Sequence, residues 1–182
     1  HYKNLPLPAL RGAYQIQNAA CALAAISCLN EALPVTTEAI AQGLSMARNP
    51  GRFQIIAHKP TVILDVGHNP HAARALAASL TQLPQVKKQV AVFSMLSDKD
   101  INEVLNICAP LFDYWYVSGL DLPRGMTTDQ IEQKLRAHGI KNVRSFATVA
   151  TAYQQALSEV QEDDRIIVFG SFHTVAEILD SL

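Results

Sequence analysis

Cysteine is scarce in this chain: Cys21, Cys28 and Cys108 are the only three in 182 residues. They form no C-x-x-C pair and have no spacing suited to zinc, which excludes a disulfide framework or a structural metal site of the usual kind and fits a reducing, cytoplasmic setting. No apolar run approaches the roughly 20 residues that a membrane-spanning helix needs, and the start carries no signal-sequence pattern. No membrane role is therefore expected. Charge of one sign is lacking too: 15 Lys and Arg stand against 16 Asp and Glu, a formal net charge of -1. A chain so balanced has no bulk attraction for nucleic acid or an anionic lipid surface. Also missing are G-x-x-x-x-G-K-[ST], G-x-G-x-x-G and G-x-S-x-G. By itself the chain cannot cradle a triphosphate in the familiar way.

What is present is 49% apolar residues in a length suited to one domain plus an appendage. The chain begins at His1 rather than methionine, as a piece of a longer protein would. Residues 1–12, with two prolines and a closing glycine, read as an extended lead-in. From Ala13 to about Ala32 the spacing predicts a long helix rich in small residues, with Ile16, Ala20, Leu23, Ala24 and Ser27 on one face. Thr36 or Thr37 caps a second helix running to Ala47, which "RNPGR" ends.

After Gly51 the texture changes. Runs of strand length ("FQIIA", "TVILDV", "VAVFSM", "YWYVSG", "RIIVFG") alternate with helical stretches at 70–83, 99–110, 128–138 and 148–161. That alternation predicts an α/β fold with a Rossmann-like, mostly parallel sheet flanked by helices, its first two strands paired as a hairpin through His58, Lys59 and Pro60. A shorter strand near "NVRSF" and a closing helix from about Thr174 complete it. Two helices without strands precede this pattern, so residues 1–50 read either as a cover for the sheet or as the tail of a preceding domain.

In open parallel sheets ligands bind beyond the carboxyl ends of the strands. The unusual residues collect there: "DVGHNP", "SMLSDKD", "SGLDLPRG" and "GSFHT". Asn69 and Pro70 make a helix start. Asp65 needs a partner, and its own turn's amides serve as well as a ligand would. Ser97 or Asp98 can cap the helix that follows. Lys99 opposes that helix dipole, so it is either solvated or faces an anion. Ser171 reads as a cap or a ligand, His173 and Arg124 as surface charges or site residues. His68 and His71, three apart, lack a third metal ligand, so no metal is assigned.

Five stretches in order, "LPLPALRGAYQIQNAACALAAI", "PGRFQII", "ILDVGHNPHAARAL", "MLSDKDI" and "FGSFHTVAEIL", closely resemble the C-terminal part of bacterial folylpolyglutamate synthases, often bifunctional with dihydrofolate synthase, within the Mur ligase superfamily. The likeness covers nearly the whole chain. It implies an ATP-dependent, ADP-forming ligase that adds L-glutamate to dihydropteroate or to the γ-carboxylate of a reduced folate, through an acyl phosphate. It further implies that residues 1–50 end a central ATPase domain and that 51–182 form the C-terminal Rossmann-like domain. The P-loop and the Mg2+ ligands would then lie in the part preceding this chain, leaving half an active site that is inactive alone. A monomer is expected.

Residue by residue, the resemblance assigns Asn18 to the adenine, Arg52 to the ATP phosphates and Asp65 to the ribose. It sets His68, Ser171 and His173 near the incoming glutamate. His68 and Lys99 are the candidate catalytic residues, with the roles of Lys99 and His173 open. The rival readings are a peptidoglycan-building Mur ligase, against which "GSFHTVAEIL" argues, and a stand-alone α/β binding module using Asp65.

Overall fold

β-branched and aromatic side chains dominate the short runs after Gly51, and in the computed structural model each becomes a strand. The structure describes residues 2–12 and 14–181. His1 of the expected lead-in and Ala13, the expected first residue of the first helix, lie outside the described residues. The chain divides into two compact units, 1–50 and 51–182.

The first unit contains α1 (Gln15–Leu29) and α2 (Thr37–Met46). Thr36 is the cap of α2, its side chain accepting from the Ala39 amide, and Glu38 places a negative charge in the first turn. Helix α1 has no side-chain cap bond and buries none of its residues. Its apolar residues are at most half-buried, as at Leu23 and Ile26, and Ile16 and Leu29 are exposed, as are Leu33, Val35 and Met46 beyond it. An apolar cleft of about 320 Å³ opens among Leu10, Leu23, Ile26, Ile40 and Leu44, with Asn18 also in its lining.

The second unit is a six-stranded sheet. Its strands are β1 (Gln54–His58), β2 (Thr61–Asp65), β3 (Gln89–Phe93), β4 (Tyr114–Ser118), β5 (Val143–Phe146) and β6 (Arg165–Phe169), in the spatial order β1-β2-β6-β3-β4-β5. Strands β1 and β2 form the expected antiparallel hairpin, and every other pairing is parallel. The helices are α3 (Pro70–Leu80), α4 (Ile101–Cys108), α5 (Thr128–Ala137), α6 (Val149–Glu159) and α7 (Phe172–Leu179).

Side chains alternate across each strand, so the sheet separates two cores. On one face Ile63, Phe93, Trp115 and Phe169 pack with Leu76 of α3, Leu105 of α4 and Ile131 of α5. On the other, Val62, Leu64, Val92 and Val168 pack with Ala152 of α6 and Ile178 of α7. Strand β6, covered on both faces, is buried at every position, and after Arg165 it reads as a continuous apolar run for that reason.

Two helix starts differ from expectation. Helix α4 begins at Ile101 with Asp100 as its cap, the side chain accepting from Glu103 N, rather than with Ser97 or Asp98. Leu96 instead bridges to Gly125 and the Ser97 amide donates to Arg124 O, which draws the chain straight past those positions. Helix α7 begins at Phe172 rather than near Thr174, because Ser171 caps it.

Strands β2 and β6 are neighbours, yet the helices that follow them, α3 and α7, pack on opposite faces. Connections that diverge in this way mark the crevice position at which open α/β sheets hold ligands.

Candidate functional site

That crevice brings "DVGHNP" beside "GSFHT", since Asp65 and Phe169 are direct register partners and Phe93 flanks Phe169 on the other side. Asp65 closes β2 at 9% exposure. Its Oδ1 accepts the Gly67 amide at 2.7 Å and its Oδ2 the Phe53 amide at 3.0 Å. Burial pushes its carboxyl above the usual range. The two amides and the nearby Arg52 charge pull the other way without overcoming that desolvation.

The Phe53 bond shapes the loop before β1. Gly51 has φ +69, where an added Cβ would meet Val66 Cγ1 at 2.6 Å. Phe53 takes φ +46, an uncommon conformation for a non-glycine residue that costs roughly 1–3 kcal/mol. It is held there by the Asp65 carboxylate and by burial of its ring in the core. Between these two residues the chain presents Arg52, half-buried, with its guanidinium carbon 5.8 Å from the centre of the Phe172 ring.

His68 reaches the same ring from the β2–α3 loop, with ring centres 5.9 Å apart. Its Nδ1 lies 3.0 Å from the Val66 carbonyl oxygen. A carbonyl only accepts, so Nδ1 carries the proton in this bond and the neutral ring keeps a lone pair on Nε2. Phe172, 55% exposed, is thus the meeting point of a fixed cation and an imidazole able to accept a proton.

Ser171 is 2% exposed and capped into the fold. Its Oγ accepts the Thr174 amide at 2.9 Å and lies 2.7 Å from Thr174 Oγ1, which donates to the Ser94 carbonyl at 3.1 Å. Gly170, at φ +114, permits this contact: a Cβ there would come within 2.2 Å of Ser94 O. His173 is exposed on the first turn of α7. The buried Ser94 Oγ at the end of β3 has no hydrogen-bond partner among the described residues.

Lys99 faces an anion, and the anion is its neighbour. Its Nζ lies 3.2 Å from Asp98 Oδ2, which Arg124 also approaches at 2.9 Å. This three-residue cluster joins the loops after β3 and β4, and its net charge is positive. The Arg52–His68–Phe172 group belongs to other loops. Asn18, in the first unit, is exposed, its Nδ2 donating to Gln15 Oε1 at 3.1 Å. Among the described residues no three His, Cys, Asp or Glu side chains gather to hold a metal ion, and no helix is long and apolar enough to cross a membrane.

Sequence reading missed Phe172 and Ser94. An exposed phenylalanine between a serine and a histidine at the mouth of the last helix was the available signal for the first. Ser94, within an apolar strand run, offered none.

A family model described as "Mur ligase, glutamate ligase domain" matches residues 51–172, a span that includes Arg52, Asp65, His68, Lys99 and Ser171. The chain is 41% identical to the dihydrofolate synthase/folylpolyglutamate synthase of Escherichia coli (strain K12), a match covering 98% of this chain and 40% of the relative. It is similar in structure to E. coli FolC in complex with ADP, with a TM-score of 0.87 at 42% identity, covering 98% of this chain and 41% of that one. A bifunctional folylpolyglutamate synthase/dihydrofolate synthase crystallised with Mn, AMPPNP and L-glutamate gives a TM-score of 0.86 at 43% identity, covering 98% and 41%. The chain therefore spans about 40% of the length of the relatives it matches. It belongs to the Mur ligase family, whose glutamate ligase domain it carries.

Proposed function

We propose that this chain forms the C-terminal wall of an ATP-dependent, ADP-forming ligase that joins L-glutamate to dihydropteroate or to the γ-carboxylate of a reduced folate, working in the cytoplasm as a monomer. The observation that carries the reading is the convergence of Arg52 and His68 on Phe172 at the sheet's switch point, inside the region matched by the glutamate ligase family. Similar structures in complex with ADP, or with AMPPNP and L-glutamate bound, support the nucleotide and glutamate parts of this reading.

In this reading the acceptor carboxylate is activated by phosphoryl transfer from ATP, and the glutamate amine displaces phosphate from the acyl phosphate. Both steps concentrate negative charge on phosphate oxygens, and a pre-positioned guanidinium stabilises such charge without reorganising. Arg52 is built for this, because the backbone on either side of it is fixed: the Phe53 amide donates to Asp65, and the Gly51 carbonyl accepts the Val66 amide at 2.7 Å. Asp65 contributes a second lone pair on each oxygen to the ribose while acting chiefly as the anchor of two loops. The incoming amine must lose a proton to attack, and the free Nε2 of His68 is placed to take it.

Ser171 acts through its cap, orienting the first amides of α7 toward the glutamate carboxylates, with His173 beside them. Lys99 and Arg124, sharing Asp98, add positive charge that draws anionic substrates to this edge. Asn18 is assigned to the adenine. Bound Mg2+ would neutralise phosphate charge; the residues described here do not form its site, which we assign with the P-loop to an N-terminal ATPase domain. Residues 1–50 are read as the end of that domain.

The test compares ADP release by the 182-residue chain with that of a longer polypeptide carrying the ATPase domain, each given ATP, Mg2+, glutamate and dihydropteroate. Turnover is expected only from the longer protein. Ligation by the chain alone would refute the half-site reading. Activity of the longer protein on UDP-linked muramyl precursors but not on either folate substrate would move it to the peptidoglycan branch.

A further inference from the structure

The sheet has a second edge, and a buried charge sits in it. Arg165 opens β6 at the amino ends of the strands, four residues and about 13 Å from Phe169 at the catalytic edge. It is 5% exposed. Its Nη1 donates to Gln89 Oε1 at 2.9 Å and its Nη2 to the Pro84 carbonyl at 2.7 Å, both neutral acceptors. Among the described residues no carboxylate pairs with it, and its Nε–H has no hydrogen-bond partner. The nearest acids in sequence and across the strands are committed elsewhere: Asp164 Oδ2 accepts the Gln161 amide at 2.8 Å and Asp113 Oδ2 the Gln89 amide at 2.7 Å. A guanidinium has five N–H donors and stays charged at neutral pH, so a buried one with neutral partners is an incomplete arrangement.

Arg165 lines an open cleft of about 480 Å³ whose walls mix Leu80, Leu83 and Pro110 with the polar Gln85, Gln89 and Asp113. That volume lies in the range of small-molecule sites, which pair apolar walls with a few fixed polar groups. We propose that this cavity binds a small organic monoanion, its carboxylate on Arg165 and its apolar body against the leucine and proline walls. Asp113 also lines the cavity, and its charge disfavours a dianion such as phosphate. The inference is independent of the ligase reading, which uses the other edge.

Side-chain NMR of the chain with 15N-labelled arginine tests it without a variant, using benzoate, neutral benzamide and inorganic phosphate as probes. Benzoate is expected to shift the Arg165 Nε–H signal saturably, to bind roughly tenfold more tightly than phosphate, and to have no counterpart with benzamide. No saturable shift, an equal response to benzamide or phosphate, or a response confined to Arg52 would overturn the proposal. Thr81 is exposed and lines the same cavity, so Thr81→Glu adds a competing carboxylate without disturbing the core. It should weaken benzoate about tenfold, and unchanged affinity in that variant would equally count against the site.

Discussion

Residues 1–50 and 51–182 are built to different standards of burial. In the first unit Ile40 is the one buried apolar side chain among the described residues, while Leu7, Ile16, Leu29, Leu33, Val35 and Met46 stand exposed. In the second, two cores sandwich the sheet, and Trp115, Phe93, Phe169 and Ile167 are fully enclosed. The two stretches differ in pattern: α1 is small and apolar round most of its circumference, whereas α3 gathers its leucines on one face. They differ also in what each meets. Helix α3 buries Leu76 and Leu80 against strands of its own unit, whereas α1 fully buries none of its residues. A segment of some 50 residues with so little enclosed surface falls below what sustains an independent fold, which supports reading it as part of a larger domain.

Separating the units gives the largest expected effect. Residues 51–182 alone should unfold cooperatively in urea, whereas residues 1–50 alone should show no cooperative transition by circular dichroism. A cooperative transition in the 1–50 peptide would break the contrast. Next in size are paired truncations within the intact chain. Phe169→Ala, in the middle of the aromatic cluster with Phe93, Phe112 and Trp115, should cost about 3–5 kcal/mol in urea titrations. Ile16→Ala, on the exposed face of α1, should stay within about 0.5 kcal/mol.

Smaller again is Asp65→Ala, which strands the Phe53 and Gly67 amides and should cost roughly 2–3 kcal/mol by the same titration. The smallest effect is on acid stability. Glu159 accepts from Tyr116 Oη, Arg144 and Gln155, in that order of influence, and its carboxyl is lowered from 4.5 to about 2. A carboxyl depressed in the folded state contributes stability present above its unfolded value and lost as pH falls through the folded one. Stability should therefore fall between pH 4.5 and about 2, and Glu159→Gln should flatten that part of the curve. The side chain is more than a third exposed, so solvent screening keeps the change small. Asp65 runs the other way: its raised carboxyl favours the folded state most below 3.8, an advantage lost as pH rises through the folded value.

Strand runs, the hairpin, and the Asn69–Pro70 and Thr36 helix starts were legible because each depends on residues close in sequence. The α4 start was not, since the Leu96–Gly125 bridge that displaces it joins positions 29 apart. Arg52 and His68 stand out in the sequence through their motifs, and the fold brings both to one ring, that of Phe172. At Asp65 and Ser171 the sequence leaves backbone amides and a ligand as alternatives, and the fold shows both side chains accepting backbone amides. Phe172 lies between Ser171 and His173, and what marks it out, the approach of Arg52 and His68 from distant loops, is visible only in the fold.

The central claim is that the loop anchored by Asp65 delivers Arg52 to phosphate. Its most direct test is steady-state ADP release by the longer, ATPase-bearing protein with Arg52→Ala. The side chain's described contact is the face of Phe172, so thermal stability should hardly move. kcat/KM for ATP should fall about 100-fold. An unchanged kcat/KM in a folded Arg52→Ala protein would contradict the account.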